Sequence, residues 1–299
     1  MMLLNIRRHA SAFHIRSDHN ARYDFPALLK LHPPLSKHVK YSPLTKEQTI
    51  DWSDGDAVLQ FNKALLMRFY HVNGSYDVPE PYLVPPIPSR ADYVHHLLSD
   101  IVRARGKEKI LGLDIGTGAN CVYPLISAAR YPNVQIVGTD IDAKALKIAH
   151  ANLQCSPLAS ACVSLRLQPK SHCIFHNIIQ PGEYFDFSMC NPPFYSSEEQ
   201  AQAQTDRKLS NLGLPGSSSR NFGGDKELFC EGGEQGFIRR MIDESFVYRS
   251  QLGWVTTLVS AKRNLAPLEK FLRLMSVKKT ECVKMNTGQK SVHLLAWHF

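Results

Sequence analysis

The sequence has neither long apolar runs nor paired cysteines. Its apolar stretches fall well short of the roughly 20 residues that a membrane-spanning helix needs, and one of the most apolar, Trp254 to Ser260, has the length of a strand. The seven cysteines are scattered, odd in number and never spaced as C-x-x-C, the pattern of zinc sites and redox centres. We therefore expect a cytoplasmic protein with reduced thiols, no membrane span and no bound metal.

Acidic residues are scarce at the start of the chain. The first 50 of the 299 residues hold eight Lys and Arg against three acids, which accounts for five of the eight net positive charges. Tyr23, Phe25 and Tyr41 lie among these cations. Because phosphates attract cations and bases stack on aromatic rings, the pattern favours a nucleic-acid partner. A solubilising tail and an Arg- and Ser-rich transit peptide are the alternatives.

Proline is concentrated in the first third of the chain, where it interrupts regular structure. Apolar residues recur there at helical spacing from Ala57 to Tyr70, and again from Ala91 to Ala104 after a proline-rich turn. We therefore predict a basic, mostly irregular and helical N-terminal module over residues 1–88 and a second domain over residues 89–299.

From residue 110 onward, short apolar runs alternate with amphipathic segments, which predicts an α/β fold with a mostly parallel sheet. Strands are predicted at Ile110 to Ile115, Gln135 to Thr139, Val163 to Leu167, Phe185 to Met189 and Trp254 to Val259. Helices are predicted at Cys121 to Arg130, Ala143 to Gln154 and Gly236 to Arg249. Two final strand-like runs, Lys278 to Met285 and Ser291 to His298, flank Thr287-Gly288 and predict an antiparallel hairpin at the sheet edge. A doubly wound sheet that ends in such a hairpin is typical of class I (Rossmann-like) methyltransferases.

A glycine-rich turn follows the first predicted strand. Gly116 and Gly118 permit a tight turn and a close backbone approach to a ligand at a helix N-terminus. The dinucleotide fingerprint has a third glycine at the position of Cys121. This difference favours S-adenosylmethionine, which has no pyrophosphate, over NAD.

Two acids accompany the glycines. Asp140, at the end of the second strand, is placed to accept hydrogen bonds from both ribose hydroxyls of a bound nucleoside. Asp114, two residues before Gly116, is placed either to meet the methionine ammonium or to tie down the loop. Asp is also a favoured helix cap, so capping is the alternative for each acid taken alone.

The fourth strand runs directly into Asn191-Pro192-Pro193-Phe194, at the strand end where open α/β sheets bind ligands. An amino group on a heteroaromatic ring is a poor nucleophile because its lone pair is delocalised. The Asn191 side-chain oxygen and the Pro192 carbonyl can each accept one N–H and orient the nitrogen, while Phe194 can stack on the ring. The motif predicts methyl transfer to a planar nitrogen of adenine, cytosine or glutamine.

Residues 195–235 form a polar, Gly- and Ser-rich insertion with several basic side chains. Segments of this length inside a compact domain are usually lids, binding loops or disordered insertions. We interpret this one as a basic lid over a nucleic-acid target.

Several segments resemble the bacterial adenine-N6 methyltransferases of 23S ribosomal RNA, the large-subunit methyltransferase F family. They are PPIPSRADYVHHL (85–97), LDIGTGANCVYPLI (113–126), MCNPPF (189–194), NLGL (211–214), NFGG (221–224), CEGGEQGFIRRMIDES (230–245) and TGQKS (287–291). A human methyltransferase that acts on U6 small nuclear RNA is a more distant relative. The resemblance covers nearly the whole chain.

The resemblance implies N6-methylation of one adenine in 23S rRNA, with 1–88 as an RNA-binding module and 89–299 as the S-adenosylmethionine-dependent domain. It also implies cofactor contacts for Arg90 in the PSRADY turn, Gly116, Asn120, Asp140, Ser171 and Asn191. The N-terminal signature departs from the family. Family members usually have a sequence close to HPRNRHxxRYD, whereas this chain has HIRSDHNARYD at 14–24. RNA contact through these residues therefore does not follow from the resemblance.

Other functions remain open from the sequence. A methyltransferase acting on protein glutamine can share the Asn-Pro-Pro-aromatic motif, because an amide nitrogen has the same delocalised lone pair. An NAD(P) oxidoreductase is disfavoured by Cys121, and an RNA-binding protein without catalysis is disfavoured by the intact Asn191 and Asp140.

Overall fold

A computed structural model describes residues 13–106, 108–193, 195, 229–287 and 290–299. Phe194 and most of the predicted lid lie outside these ranges. The helices are α1 (Phe25–Leu31), α2 (Gly55–Tyr70), α3 (Ile87–Arg105), α4 (Val122–Arg130), α5 (Ala143–Gln154), α6 (Pro157–Cys162), α7 (Gly233–Val247) and α8 (Leu265–Leu274). The strands are β1 (Val39–Tyr41), β2 (Gln48–Ile50), β3 (Ile110–Ile115), β4 (Val134–Asp140), β5 (Val163–Leu167), β6 (Phe185–Cys190), β7 (Leu252–Val259), β8 (Lys279–Thr287) and β9 (Lys290–His298).

Seven strands form one sheet in the order β5-β4-β3-β6-β7-β9-β8. The first five are parallel neighbours, and β9 pairs antiparallel with both β7 and β8. The predicted fold class, a mostly parallel sheet that ends in an antiparallel hairpin, is therefore confirmed. The short β1–β2 pair forms a separate two-stranded sheet that the sequence analysis did not predict.

Element ends differ from the predictions where a local feature outweighs hydrophobic spacing. Helix α3 begins at Ile87, four residues before the predicted start, because Pro88 lies in its first turn, where a missing N–H costs nothing. Arg90 is therefore helical and does not lie in a turn. Helix α7 begins at Gly233, so the last residues of the predicted lid belong to a helix.

Both faces of the sheet are covered, as a parallel sheet requires. Alternate residues of β9 show the division, since Leu294 and Ala296 face one core and Leu295 and Trp297 face the other. The first core also contains buried side chains of α1 and α2, including Leu28 and Leu65. Apolar packing is therefore continuous across residue 88, and the division into two domains stays a prediction.

Polar contacts join the start of the described chain to α3 and α4. The His14 N–H donates to Asp92 Oδ1 at 2.5 Å, and the His14 ring stacks on His95 and meets His96 edge-on. The Tyr131 hydroxyl lies 2.8 Å from His95 Nδ1. Burial lowers the pKa of His95 to about 3 and that of His96 to about 4. These two histidines therefore hold the N-terminal segment as neutral side chains.

No group of three or more His, Cys, Asp or Glu is arranged to hold a metal ion within the described ranges. None of the described helices is long and apolar enough to cross a membrane.

We expect Gly253→Ala to destabilise the protein by about 1–3 kcal/mol, the usual cost of overpacking. A Cβ at Gly253 would lie 2.2 Å from the Asp186 carbonyl oxygen, and strand backbone cannot move aside as a flexible side chain can. The matched control is Gly74→Ala, whose Cβ would meet nothing closer than Met67 Cε at 3.9 Å. Urea unfolding measures both, and equal stability of the two variants would contradict the packing argument.

Candidate functional site

One level of the strand register brings the predicted site together. Ile115 of β3 pairs with Thr139 of β4 and with Cys190 of β6. Gly116, Asp140 and Asn191 are the next residues along the three chain segments, so they lie side by side at the carboxyl ends of these strands. They line a cavity of about 370 Å³, within the size range of small-molecule sites. The predicted site residues in its lining are Arg90, Gly116, Gly118, Asn120, Asp140, Ser171 and Asn191.

The glycine loop has the backbone conformation that its sequence predicts. Gly116 and Gly118 have φ angles of 71° and 63°, in the left-handed region that favours glycine. A Cβ at Gly116 would meet nothing within 4 Å, so the backbone there is open to the cavity. Cys121 also has a positive φ, of 38°, and its side chain is buried against the Ala149 carbonyl. Cys121 is therefore a packing residue beside the loop.

Asp140 holds the loop through both carboxylate oxygens. Oδ2 accepts the Gly118 N–H at 2.9 Å, and Oδ1 accepts the Asp142 N–H at 2.9 Å. Burial raises the pKa of Asp140, and these backbone donors offset part of the rise. Each oxygen has a further lone pair, so the carboxylate can still accept from a ligand at the cavity wall. Asp142, in contrast, caps α5 through the Lys144 N–H.

Asp114 is the predicted cofactor residue that does not line the cavity. Its side chain is fully buried beneath the glycine loop, and neither carboxylate oxygen meets a hydrogen-bond partner among the described residues. Burial raises its pKa to about 7, the charge of nearby Asp140 adds to the rise, and the charge of Arg90 opposes it. A buried carboxylate with free lone pairs suits a cationic ligand group, at a cost in stability when it is ionised.

Asn120 and Ser171 both line the cavity. The Asn120 side chain accepts the Val122 N–H and donates to the Leu83 carbonyl, so it joins the glycine loop to the segment before α3. Ser171 is exposed in the loop after β5. Glu244 of α7 anchors the end of that loop, because its carboxylate accepts three consecutive backbone N–H groups, those of Ile174, Phe175 and His176.

Asn191 is held from helix α3. Arg90 Nη1 donates to Asn191 Oδ1 at 3.1 Å and to the Tyr123 hydroxyl at 3.1 Å. The Arg90 guanidinium also lies over the Tyr123 ring. Pro192 is buried and Pro193 lines the cavity, whereas the predicted stacking residue Phe194 lies outside the described residues. The contact across 101 positions of sequence fixes the side chain that the motif predicts to be functional.

Several lining residues were not predicted as site residues. Tyr123, Phe237 and Arg240 line the cavity, and the last two lie one turn apart on α7. Two segments of the resemblance contain these residues, since Tyr123 lies in 113–126 and Phe237 and Arg240 lie in 230–245. Tyr195 and Phe229, which bound the long insertion, form a parallel bridge, and the Cys230 N–H donates to the Tyr195 carbonyl at 3.0 Å. The insertion therefore leaves and rejoins the domain at one point beside the cavity.

Comparisons with known proteins agree with this architecture. A family model described as RNA methyltransferase matches residues 7–299. A protein of Christiangramia forsetii named Ribosomal RNA large subunit methyltransferase F is 43% identical over 285 residues, which cover 94% of this chain and 98% of the relative. A protein of the same name from Klebsiella pneumoniae is 43% identical over 289 residues, covering 96% of this chain and 94% of that relative.

Solved structures of human METTL16 have the same fold. Its catalytic domain in complex with hairpin 6 of the MAT2A 3′UTR is 29% identical, has a TM-score of 0.83, and the match covers 97% of this chain and 98% of the human one. Its N-terminal domain in complex with SAH is 25% identical with a TM-score of 0.77, and the match covers 97% and 99% of the two chains. Human METTL16, which has this fold, has therefore been solved both with RNA and with SAH.

We expect the stability difference between Asp114→Asn and the wild type to depend on pH. The pKa of the carboxyl rises from 3.8 in the unfolded chain to about 7 in the folded protein, so it is protonated in both states only well below pH 3.8. Between these values folding takes up a proton, and the wild type loses about 1.4 kcal/mol of stability per pH unit. Above pH 7 the loss is complete.

Because Asn is neutral, Asp114→Asn should gain stability relative to the wild type as the pH rises from 4 to 7, and the gain should then level off. Urea unfolding of the ligand-free proteins at pH 4.5, 6 and 8 measures this difference. A difference that stays constant across these pH values would contradict the burial of an unpartnered carboxyl.

Proposed function

The chain belongs to the RNA methyltransferase family, and we propose that it methylates N6 of one adenine in 23S ribosomal RNA with S-adenosylmethionine as the donor. The observation that carries the proposal is Asn191, which Arg90 holds in the wall of a cavity of about 370 Å³ that the open glycine loop also lines. The name shared by relatives at 43% identity supports a ribosomal RNA substrate. Such a substrate would be met in the cytoplasm.

The cavity residues fit an adenosyl sulfonium. Gly116 leaves room for close backbone approach, and Asp140 keeps free lone pairs that suit ribose hydroxyls. Asp114 is a buried, unpartnered carboxyl of the kind that favours a cationic group nearby. Arg90, Asn120 and Ser171 complete the wall that would hold the cofactor. SAH, the ligand of the human neighbour, is what the donor becomes after it gives up its methyl group.

S-adenosylmethionine supplies an electrophilic methyl carbon when bound, so the chain has to orient a weak nucleophile. Asn191 Oδ1 has a second lone pair besides the one that faces Arg90, and it can accept one hydrogen of the adenine amino group. The Pro192 carbonyl can accept the other. Both contacts favour the tetrahedral nitrogen that develops during attack, and positioning in line with the methyl group supplies much of the rate.

Exposed cations at the catalytic edge of the sheet support a polyanionic substrate. Lys170 follows β5, and Lys262 and Arg263 follow β7. These residues follow the carboxyl ends of parallel strands, which lie at the same edge of the sheet as Asn191. Burial lowers the pKa of His293, and the charge of nearby Lys262 lowers it further. Phosphates of an RNA placed over the cavity would meet these cations.

The basic N-terminal segment makes a weaker case for RNA contact. Its cations are partly paired, since Arg22 contacts Glu47 and Lys40 contacts Asp51. Surface pairs of this kind reduce the charge available to a phosphate. An RNA-binding role for residues 1–88 and a lid role for 195–235 remain predictions.

Methylation of a protein glutamine is the alternative, and a substrate assay separates the two functions. The wild type is incubated with S-adenosylmethionine labelled in the methyl group and with 23S rRNA lacking the modification, assembled subunits or release factor. We expect label in RNA, recovered as N6-methyladenosine after digestion, because the chain belongs to an RNA methyltransferase family. Label in protein but not in RNA would overturn the proposal.

We expect Asn191→Ala to reduce methyl transfer by about 100-fold or more, because loss of one preorganised hydrogen-bonding group costs this much in comparable sites. Cofactor affinity, measured by calorimetry, should change little. The control is Asn133→Ala, just before β4, whose side chain donates to the Gly106 and Glu108 carbonyls and does not line the cavity. Near wild-type turnover by Asn191→Ala would contradict the assigned role.

A further inference from the structure

A chain of three hydrogen bonds lies behind the end of β6. The Thr256 hydroxyl is 2.7 Å from the Ser188 carbonyl oxygen, and the Tyr93 hydroxyl is 2.7 Å from Thr256 Oγ1. The Cys190 N–H donates to the Tyr93 hydroxyl oxygen at 3.2 Å. The side chains of Tyr93 and Thr256 are fully buried, so water does not compete for these bonds.

The Ser188 carbonyl and the Cys190 N–H, at the two ends of this series of hydrogen bonds, fix the direction of each bond between them. A carbonyl oxygen can only accept, so the Thr256 hydroxyl donates to Ser188 and its oxygen accepts from Tyr93. A backbone N–H can only donate, so the Tyr93 oxygen accepts from Cys190. Each hydroxyl both donates and accepts, an arrangement in which neighbouring bonds strengthen one another.

The three hydrogen bonds lie where the pairing of β6 with β7 ends. Strand β6 pairs with β7 only as far as Ser188 and Val255. Cys190 lies two residues further and directly precedes Asn191. Its N–H is met by Tyr93 of α3, one turn along the same helix from Arg90, which holds the Asn191 side chain. Helix α3 therefore fixes both the main chain before Asn191 and its side-chain oxygen.

We propose that Tyr93 and Thr256 are positioning residues for methyl transfer, which fix the end of β6 so that Asn191 is oriented before the substrate arrives. The inference rests on the proposed role of Asn191. Neither residue lines the cavity, so neither contacts cofactor or substrate directly. Their effect is on the rate of transfer and not on binding, because a small displacement of an orienting group lowers the rate steeply.

The kinetic test uses Tyr93→Phe and Thr256→Val, with Thr256→Ser as the conservative variant that keeps the hydroxyl. We expect kcat to fall about tenfold or more in the first two, with the KM for RNA and for the cofactor within about twofold of wild type. Thr256→Ser should keep kcat near that of the wild type. Because both residues act through one chain of bonds, the double variant Tyr93→Phe/Thr256→Val should be little slower than either single variant.

Tyr131→Phe is the matched control for loss of a buried hydroxyl. Tyr131 is also buried, and its hydroxyl contacts His95 Nδ1 and Ser99 Oγ, away from the cavity. We expect this variant to lose thermal stability much as Tyr93→Phe does while keeping kcat. Equal kcat losses in Tyr131→Phe and Tyr93→Phe, or an unchanged kcat in Tyr93→Phe, would overturn the proposal.

Amide hydrogen exchange tests the same idea without any activity measurement. Peptides covering residues 185–193 should exchange faster in Tyr93→Phe and Thr256→Val than in the wild type, Thr256→Ser or Tyr131→Phe. Unchanged exchange there would overturn the positioning role. If the wild type methylated no RNA, the proposed function would fail separately, and the exchange result would still decide whether Tyr93 holds the strand end. Should Tyr93→Phe not fold, the Thr256→Val and Thr256→Ser pair decides.

Discussion

The parallel pairing of β3 with both β4 and β6 is the constraint on which the site depends. Ile115 pairs with Thr139 and with Cys190, so the residues that follow these three lie side by side at the carboxyl ends of the strands. Gly116, Asp140 and Asn191 thus supply an open backbone, a carboxylate and an amide at one edge. A shift of one strand by a single residue would turn its side chains to the other face and dismantle this arrangement.

Helix α3 supplies the second constraint, because it contacts both the N-terminal segment and strand β6. Its Arg90 holds the Asn191 side chain, and its Tyr93 holds the end of β6. Its neighbouring residues Asp92 and His95 bind His14 and Tyr131, and so join the N-terminal segment to the core. Helix α3 therefore carries contacts to the N-terminal segment as well as to the site.

Much of the sheet and most of the cavity could be predicted from the sequence, because both depend on local signals. Strand β5 and helix α5 have their predicted ends, and the glycines and Asp140 are marked by their place after strands. Short elements such as α1 and α6 were missed because six or seven residues carry too little periodicity. The Arg90 contact to Asn191 spans 101 positions and has no local signal. Asp114 does not line the cavity, because its side chain packs beneath the glycine loop. The position of Asp114 two residues before Gly116 did not predict this burial.

The Arg90 contact also explains why an amide suits position 191. A guanidinium has no acceptor, so the Asn191 side chain must turn its oxygen toward Arg90, which settles the orientation of the amide. The same oxygen keeps a second lone pair, which in the proposed mechanism accepts from the amino group of the substrate. A carboxylate at this position would form an ion pair with Arg90, and its charge would favour a strong bond to the cation over the weaker bond to a neutral amine. A neutral acceptor that is fixed by a cation can thus orient a poor nucleophile without acting as a base.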